Sequence, residues 1–161
     1  MSNKFTQKAQ NSLNRAMEYA REFGHTYIGS EHLLLGLAGE PECIASKLLL
    51  EKGADVDKLK KITLEWTGVG VPTALSASDM TPKVKNIIET SATESINNGQ
   101  NYIGTEHLLA ALLSETDCMA LRILDASGLS VQELKKKITV FLESVPTKKT
   151  VKDQKNQNER H

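Results

Sequence analysis

The sequence repeats itself. A shift of 75 positions lays Tyr27–Leu34 (YIGSEHLL) on Tyr102–Leu109 (YIGTEHLL) without a gap. The same shift carries Phe5-Thr6 onto Met80-Thr81, Gly24 onto Gly99, Cys43 onto Cys118 and Gly53 onto Gly128. It also carries Leu59-Lys60-Lys61 onto Leu134-Lys135-Lys136. This period is longer than most solenoid units, and there are two copies, where a solenoid needs three or more. The expectation is therefore a pseudo-two-fold pair sharing one core. A chain of 161 residues has room for one such domain.

Each unit reads as four helices, so the fold class is all-α with about eight helices. The first helix runs over about 6–23, with Thr6 as N-cap and Ala9, Leu13, Ala16, Met17 and Ala20 at helical spacing. Its counterpart opens with Thr81 as N-cap and Pro82 at the first helical position, where the missing N–H costs nothing. Val84, Ile87, Ile88 and Ala92 form its stripe, and Gly24 and Gly99 suit left-handed C-terminal positions.

The second helix starts after Ser30 or Thr105, read as N-caps. Leu33, Leu34 and Leu37, and likewise Leu108, Leu109 and Leu112, cover much of its circumference, so it belongs at the centre. The third carries Ile44, Ala45, Leu48 and Leu49, repeated as Met119, Ala120, Ile123 and Leu124, and ends at Gly53 or Gly128. The fourth begins near Asp55 or Ser130, and Ser130-Val131-Gln132-Glu133 is a capping box. No segment reads as a strand.

The folded domain is expected over 1–144, with repeat one at about 5–67, a linker at about 68–79 (GVGVPTALSASD) and repeat two at about 80–143. Residues 145–161 are Lys/Gln/Asn-rich without apolar periodicity and read as a disordered tail or the start of an interdomain linker.

Composition excludes several function classes. Twenty Lys+Arg balance 20 Asp+Glu, so nothing draws the chain generally to nucleic acid or anionic membrane. Aromatics are 4%, too few for base-stacking platforms. No apolar run approaches the ~20 residues of a membrane span. The start, MSNKFTQKAQ, has no secretory apolar stretch, and two cysteines make no disulfide framework, so the cytoplasm is the expected compartment. No P-loop motif occurs.

Glu31 and Glu106 fall in the first turn of a helix, where a carboxylate gains about 0.3–1 kcal/mol from the dipole whatever else it does. Lys8, Lys83 and Lys85 read as solvated surface residues. His32 and His107 follow the glutamates in E-H-L-L, which lacks the two-histidine face of H-E-x-x-H, so they read as hydrogen-bonded structural residues and no metal site is expected. Cys43 and Cys118 read as half-buried packing residues at the start of the third helices.

The repeated Tyr-Ile-Gly-[Ser/Thr]-Glu-His-Leu-Leu, the Phe-Thr start, the Thr-Pro-Lys opening of the second unit and the 75-residue offset resemble the amino-terminal double Clp repeat of ClpC/ClpA-type AAA+ unfoldases, ClpC above all. The likeness covers about 4–143. It implies a non-catalytic module without cofactor that recruits substrates and adaptor proteins. In that family ATPase modules use ATP to thread such substrates into a Clp peptidase. ClpC-like domains also dock phosphoarginine-tagged proteins, one pocket per repeat. The glutamate takes the guanidinium, and the threonine with nearby basic side chains takes the phosphate. Position by position, the resemblance assigns Thr6 and Glu31 to one pocket, and Thr81, Lys85 and Glu106 to the other. Gln10 stands where Lys85 would repeat, with Lys8 as the substitute, and Met80 replaces an aromatic common in relatives. The alternative on the same residues is a stand-alone module that docks adaptors or Clp subunits without reading phosphoarginine.

Overall fold

The computed structural model describes residues 4–144; the tail expected over 145–161 lies outside them. Repeat one supplies α1 (Gln7–Glu22), α2 (Ser30–Gly39), α3 (Ile44–Glu51) and α4 (Val56–Thr67). Repeat two supplies α5 (Pro82–Asn97), α6 (Thr105–Leu113), α7 (Met119–Ala126) and α8 (Val131–Ser144). Between them, 68–76 has no regular structure and Ala77–Asp79 forms one 3-10 turn. The all-α expectation holds.

The caps follow local chemistry. Thr6 Oγ1 accepts from the Ala9 N–H at 3.1 Å, and Thr81 Oγ1 from the Val84 N–H at 3.2 Å. Asp55 does the same for Lys58 at 2.7 Å, and Ser130 for Glu133 at 3.3 Å. Gly24 ends α1 at φ +75°, and a β-carbon there would lie 2.1 Å from the Gly70 carbonyl carbon. The linker is strapped onto the end of α1 at this point, where the Gly70 N–H donates to the Phe23 carbonyl at 2.7 Å.

α2 and α6 form the centre. Leu33, Leu34, Leu35 and Leu37 on one and Leu108, Leu109, Leu112 and Leu113 on the other are fully buried. Each such side chain contributes about 1.5–3 kcal/mol on transfer from water, an upper bound for a compact unfolded chain. α2 packs on α1, α3 and α4, and across the repeat boundary on α6 and α7.

The repeats are interlaced, which the sequence did not foretell. A short strand, β1 (Lys4–Phe5), pairs in parallel with β2 (Tyr102–Ile103), in register Lys4 with Tyr102 and Phe5 with Ile103. In the mirrored place Ile28 bridges Met80. Each repeat's opening residues therefore pair with the Tyr-Ile-Gly motif of the other.

The starts of α2 and α6 also differ from expectation. Their N-caps are Gly29 and Gly104, and His32 and His107 complete the capping boxes. Each His Nδ1 accepts the glycine N–H at 2.9 Å. Ser30 and Thr105 sit one position further on and reach across the boundary. Ser30 Oγ accepts from the Ala120 N–H at 3.2 Å, and Thr105 Oγ1 from the Ala45 N–H at 3.2 Å. Each hydroxyl thus caps the third helix of the opposite repeat. Cys43 and Cys118 are those helices' N-cap residues, and both are buried, more deeply than expected.

Candidate functional site

The interlacing decides which side chains meet. The Thr6 N–H donates to the Ile103 carbonyl at 2.9 Å, which seats the α1 N-terminus beside Glu106. The Thr81 N–H donates to the Ile28 carbonyl at 3.0 Å, which seats the α5 N-terminus three residues from Glu31. The pairing is therefore crossed: Thr6 goes with Glu106, and Thr81, with Lys85 one turn further along α5, sits on the Glu31 side. This corrects the within-repeat assignment of Thr6 to Glu31 and of Thr81 and Lys85 to Glu106. A repeated motif fixes the members of a site but not which copy supplies each.

The first cradle is a pocket of about 330 Å³ lined by Thr6, Lys8, Glu42, Cys43, Tyr102 and Glu106, among others. Thr6 spends its hydroxyl on the cap, leaving the first two amides of α1, at Gln7 and Lys8, without intrahelical partners. Such amides, at the positive end of the helix dipole, suit an anion. The Lys8 ammonium is committed elsewhere. It donates to the Pro41 carbonyl at 2.7 Å and lies 3.8 Å from Glu40. In the second cradle Pro82 removes one amide from the helix tip, while Lys85 is exposed. The first helix tip thus offers one more free amide than the second, while Lys85 near the second is an exposed cation.

The carboxylates are held tightly. Glu31 and Glu106 each keep 4% of their surface exposed. The Tyr27 hydroxyl donates to Glu31 Oε2 at 3.0 Å, and Tyr102 likewise hydrogen-bonds Glu106. The other oxygen curls over the N-cap glycine. A β-carbon at Gly29 would lie 2.3 Å from Glu31 Oε1, and one at Gly104 2.1 Å from Glu106 Oε1. This explains the shared Tyr-Ile-Gly-x-Glu spacing: the glycine makes room and the tyrosine four residues back clamps. Neither pair was singled out from the sequence, though the i, i+4 spacing inside the octapeptide carried the signal. Burial raises the Glu106 carboxyl above the usual glutamate value, opposed by its own backbone N–H and by Tyr102. Burial, with the Glu31 charge and hydrogen bond, pushes the Tyr27 phenol up to about 12.

The histidines behind the cradles are hydrogen-bonded at the helix starts. His32 Nδ1 is an acceptor, so its Nε2–H donates to His25 Nδ1 at 2.7 Å, and His25 Nε2–H donates to the Gly68 carbonyl at 2.8 Å. This relay ties the start of α2 to the linker. His107 Nε2 is buried without a hydrogen-bond partner among the described residues. Burial lowers His32 to about 3, with a smaller contribution from His25, and lowers His107 to about 4. Among the described residues no group of three or more His, Cys, Asp or Glu side chains is placed to hold a metal ion. Nor is any described helix long and apolar enough to cross a membrane.

Two interlaced helical repeats with crossed cradles define a duplicated-repeat helical domain. Residues 4–73 and 79–160 match the Clp repeat (R) N-terminal domain, and the chain belongs to that family. It is 37% identical over 147 residues to the negative regulator of genetic competence ClpC/MecB of Bacillus subtilis, matching 91% of this chain and 18% of that protein. It spans only 16% to 18% of the length of this and two further curated relatives, a ClpA homolog and a ClpB chaperone. The fold superimposes on the N-terminal domain of ClpD from Arabidopsis thaliana with TM-score 0.74 at 23% identity, covering 88% of this chain and 96% of that one. A ClpV N-domain in complex with a VipB peptide superimposes with TM-score 0.63 at 19% identity, covering 86% and 87%.

Proposed function

We propose that this Clp N-terminal domain is a non-catalytic recruitment module that docks phosphoarginine-tagged proteins through its two crossed cradles. It delivers them, or adaptor-bound substrates, to an AAA+ unfoldase and its Clp peptidase. The observation that carries this reading is the Glu106 cradle, where a clamped carboxylate and an amide-bearing helix tip line one open pocket. Phosphoarginine joins a planar guanidinium to a phosphate. The carboxylate suits the guanidinium through charge-assisted hydrogen bonds, and the helix tip suits the phosphate. Two such sites on one rigid body gain by avidity when a partner carries two tags. The ClpV N-domain bound to a VipB peptide is a precedent for peptide docking on this fold.

Titration calorimetry with free phosphoarginine, phosphoserine and arginine tests the reading. Phosphoarginine alone should bind. Glu106→Gln should remove one site, and Glu31→Gln with Glu106→Gln should remove both. Because its carboxyl is raised, the Glu106 site should lose ligand on acidification before an ordinary glutamate protonates. Equal heats for the three ligands, or none, would sink the tag-reading. The 4% exposure of each glutamate favours a second reading, in which these carboxylates only stabilise helix starts and adaptors dock elsewhere on the domain. Adaptor capture that survives the double Gln variant decides for it.

A further inference from the structure

Away from the cradles, a groove of about 390 Å³ opens between α5, α6 and α8 of repeat two. Its apolar wall comes from Ala110, Leu113, Ile138 and Leu142, and Glu94, Asn98, Lys135 and Glu143 also line it. The other repeat records what belongs in such a space. At the positions equivalent to Glu94 and Asn98 it carries Tyr19 and Phe23, with ring centroids 5.8 Å apart, both packed on the core. Lys60, the counterpart of Lys135, sits over them, its Nζ 5.9 Å from the Tyr19 centroid and 5.8 Å from that of Phe23. Leu35, the counterpart of Ala110, fills more of the floor. Repeat two keeps the lysine, loses both rings and shrinks this floor residue, while its wall becomes larger and more apolar, with Leu113, Ile138 and Leu142 standing where repeat one has Ala38, Thr63 and Thr67.

We infer that the α5–α6–α8 groove is a docking site for a partner segment carrying a phenylalanine beside a lysine or arginine. The ring takes the place held by Tyr19 and Phe23 in repeat one, under Lys135, where a cation faces an aromatic surface. The neighbouring basic side chain reaches Glu94 or Glu143 on the rim. Phenylalanine is favoured over tyrosine. The Tyr19 hydroxyl lies 2.8 Å from where a β-carbon at Gly39 would stand, and Ser114 supplies that carbon in repeat two. Residues 145–161 contain no Phe, Tyr or Trp, so they cannot supply the ring.

The test is methyl NMR on the 161-residue chain, titrated with the capped peptide Gly-Ser-Lys-Phe-Lys-Ser-Gly and its Phe→Ala and Phe→Tyr versions. The Phe peptide should shift the Ala110, Leu113 and Ile138 methyls saturably, the Tyr peptide less and the Ala peptide not at all. Glu94→Phe with Asn98→Phe rebuilds the plug of repeat one. It should weaken binding by about tenfold or more, as loss of a buried anchor pocket does, while the melting temperature holds or rises. If that variant fails to fold, Ala110→Leu, which restores the larger floor residue, decides in its place. Binding indifferent to the plug, saturable shifts confined to the Glu31 and Glu106 cradles, or no saturable shift would overturn the inference. The peptide carries no phosphate, so this outcome and that of the phosphoarginine titration are independent.

Discussion

In repeat one, Tyr19 and Phe23 close the end of α1 against α2 and α4, and the linker is tied beneath them through Gly68, Gly70, His25 and His32. In repeat two, Glu94 and Asn98 occupy the same places, the groove stays open, and His107 Nε2 has no partner among the described residues. Where the copies touch each other most of the contacts have stayed alike, although Met80 stands in the place of Phe5. The Tyr-Ile-Gly-x-Glu motif, the capping threonines and the crossed hydroxyl caps recur in both. A contact made across the boundary has to satisfy both copies, whereas the far end of each bundle is free to specialise. Repeat one spent that freedom on packing and on anchoring the linker. Repeat two left a groove.

The contrast should be largest in the core. Phe23→Ala should cost about 3–5 kcal/mol in denaturant unfolding, as for a buried aromatic, while Asn98→Ala, which removes a hydrogen bond to the Glu94 carbonyl, should cost about 0.5–1.5 kcal/mol. Similar losses at the two positions would erase the packing difference.

The next contrast is electrostatic. Glu40 is clasped by Asn11 at 2.8 Å and Arg15 at 2.8 Å, whereas its counterpart Glu115 has Asn86 at 2.7 Å and Lys83 at 3.4 Å but no arginine, since Thr90 stands in the equivalent place. Burial opposes ionisation of Glu40, but the hydrogen bonds from Asn11 and Arg15 and the charges of Arg15 and Lys8 win, holding its carboxyl below the ordinary value. Its stabilising contribution is present above the unfolded glutamate pKa and is lost as pH falls through the lowered folded one. Glu40→Gln should cost about 1.5–3 kcal/mol, as for hydrogen bonds to a charged group, and Glu115→Gln less than about 1 kcal/mol. Urea midpoints measure both.

The histidines set a third difference. Both are depressed, so their contribution is complete above the unfolded pKa near 6.5 and drains away as pH falls towards about 3 for His32 and about 4 for His107. Each should tilt stability by up to about 1.4 kcal/mol per pH unit inside its window. His32→Gln should flatten the profile over a wider range than His107→Gln, and superimposable profiles would contradict the added depression that His25 brings to His32. The smallest effects should be equal ones. Ser30→Ala and Thr105→Ala each remove one crossed cap, at about 1 kcal/mol apiece. Unequal losses would mean that the boundary is less symmetric than its distances.

Much of the fold was legible because it is local. Thr6, Thr81, Pro82, Asp55 and Ser130 announce helix starts through their own side chains, and the leucine runs mark α2 and α6 as central. What escaped is what local chemistry does not encode. Gly29 and Gly104 cap without a side chain, and their box is closed by a histidine instead of the usual Glu or Gln, so Ser30 and Thr105 looked like the caps. The two-residue strands are too short for any alternation to register. The candidate residues were all visible, but their partnership was not. Thr6 sits 25 positions from Glu31 and 100 from Glu106, and an internal repeat is silent on which it meets.

The exchange of opening strands constrains how such a molecule could arise. A single ancestral unit would have had an edge motif and a helix tip with no mate within its own chain. It could complete a site only by docking on a twin in two-fold symmetry, each lending its first residues to the other. Joining the twins through a tether such as 68–79 then makes the arrangement permanent. It also releases the halves from having to stay identical.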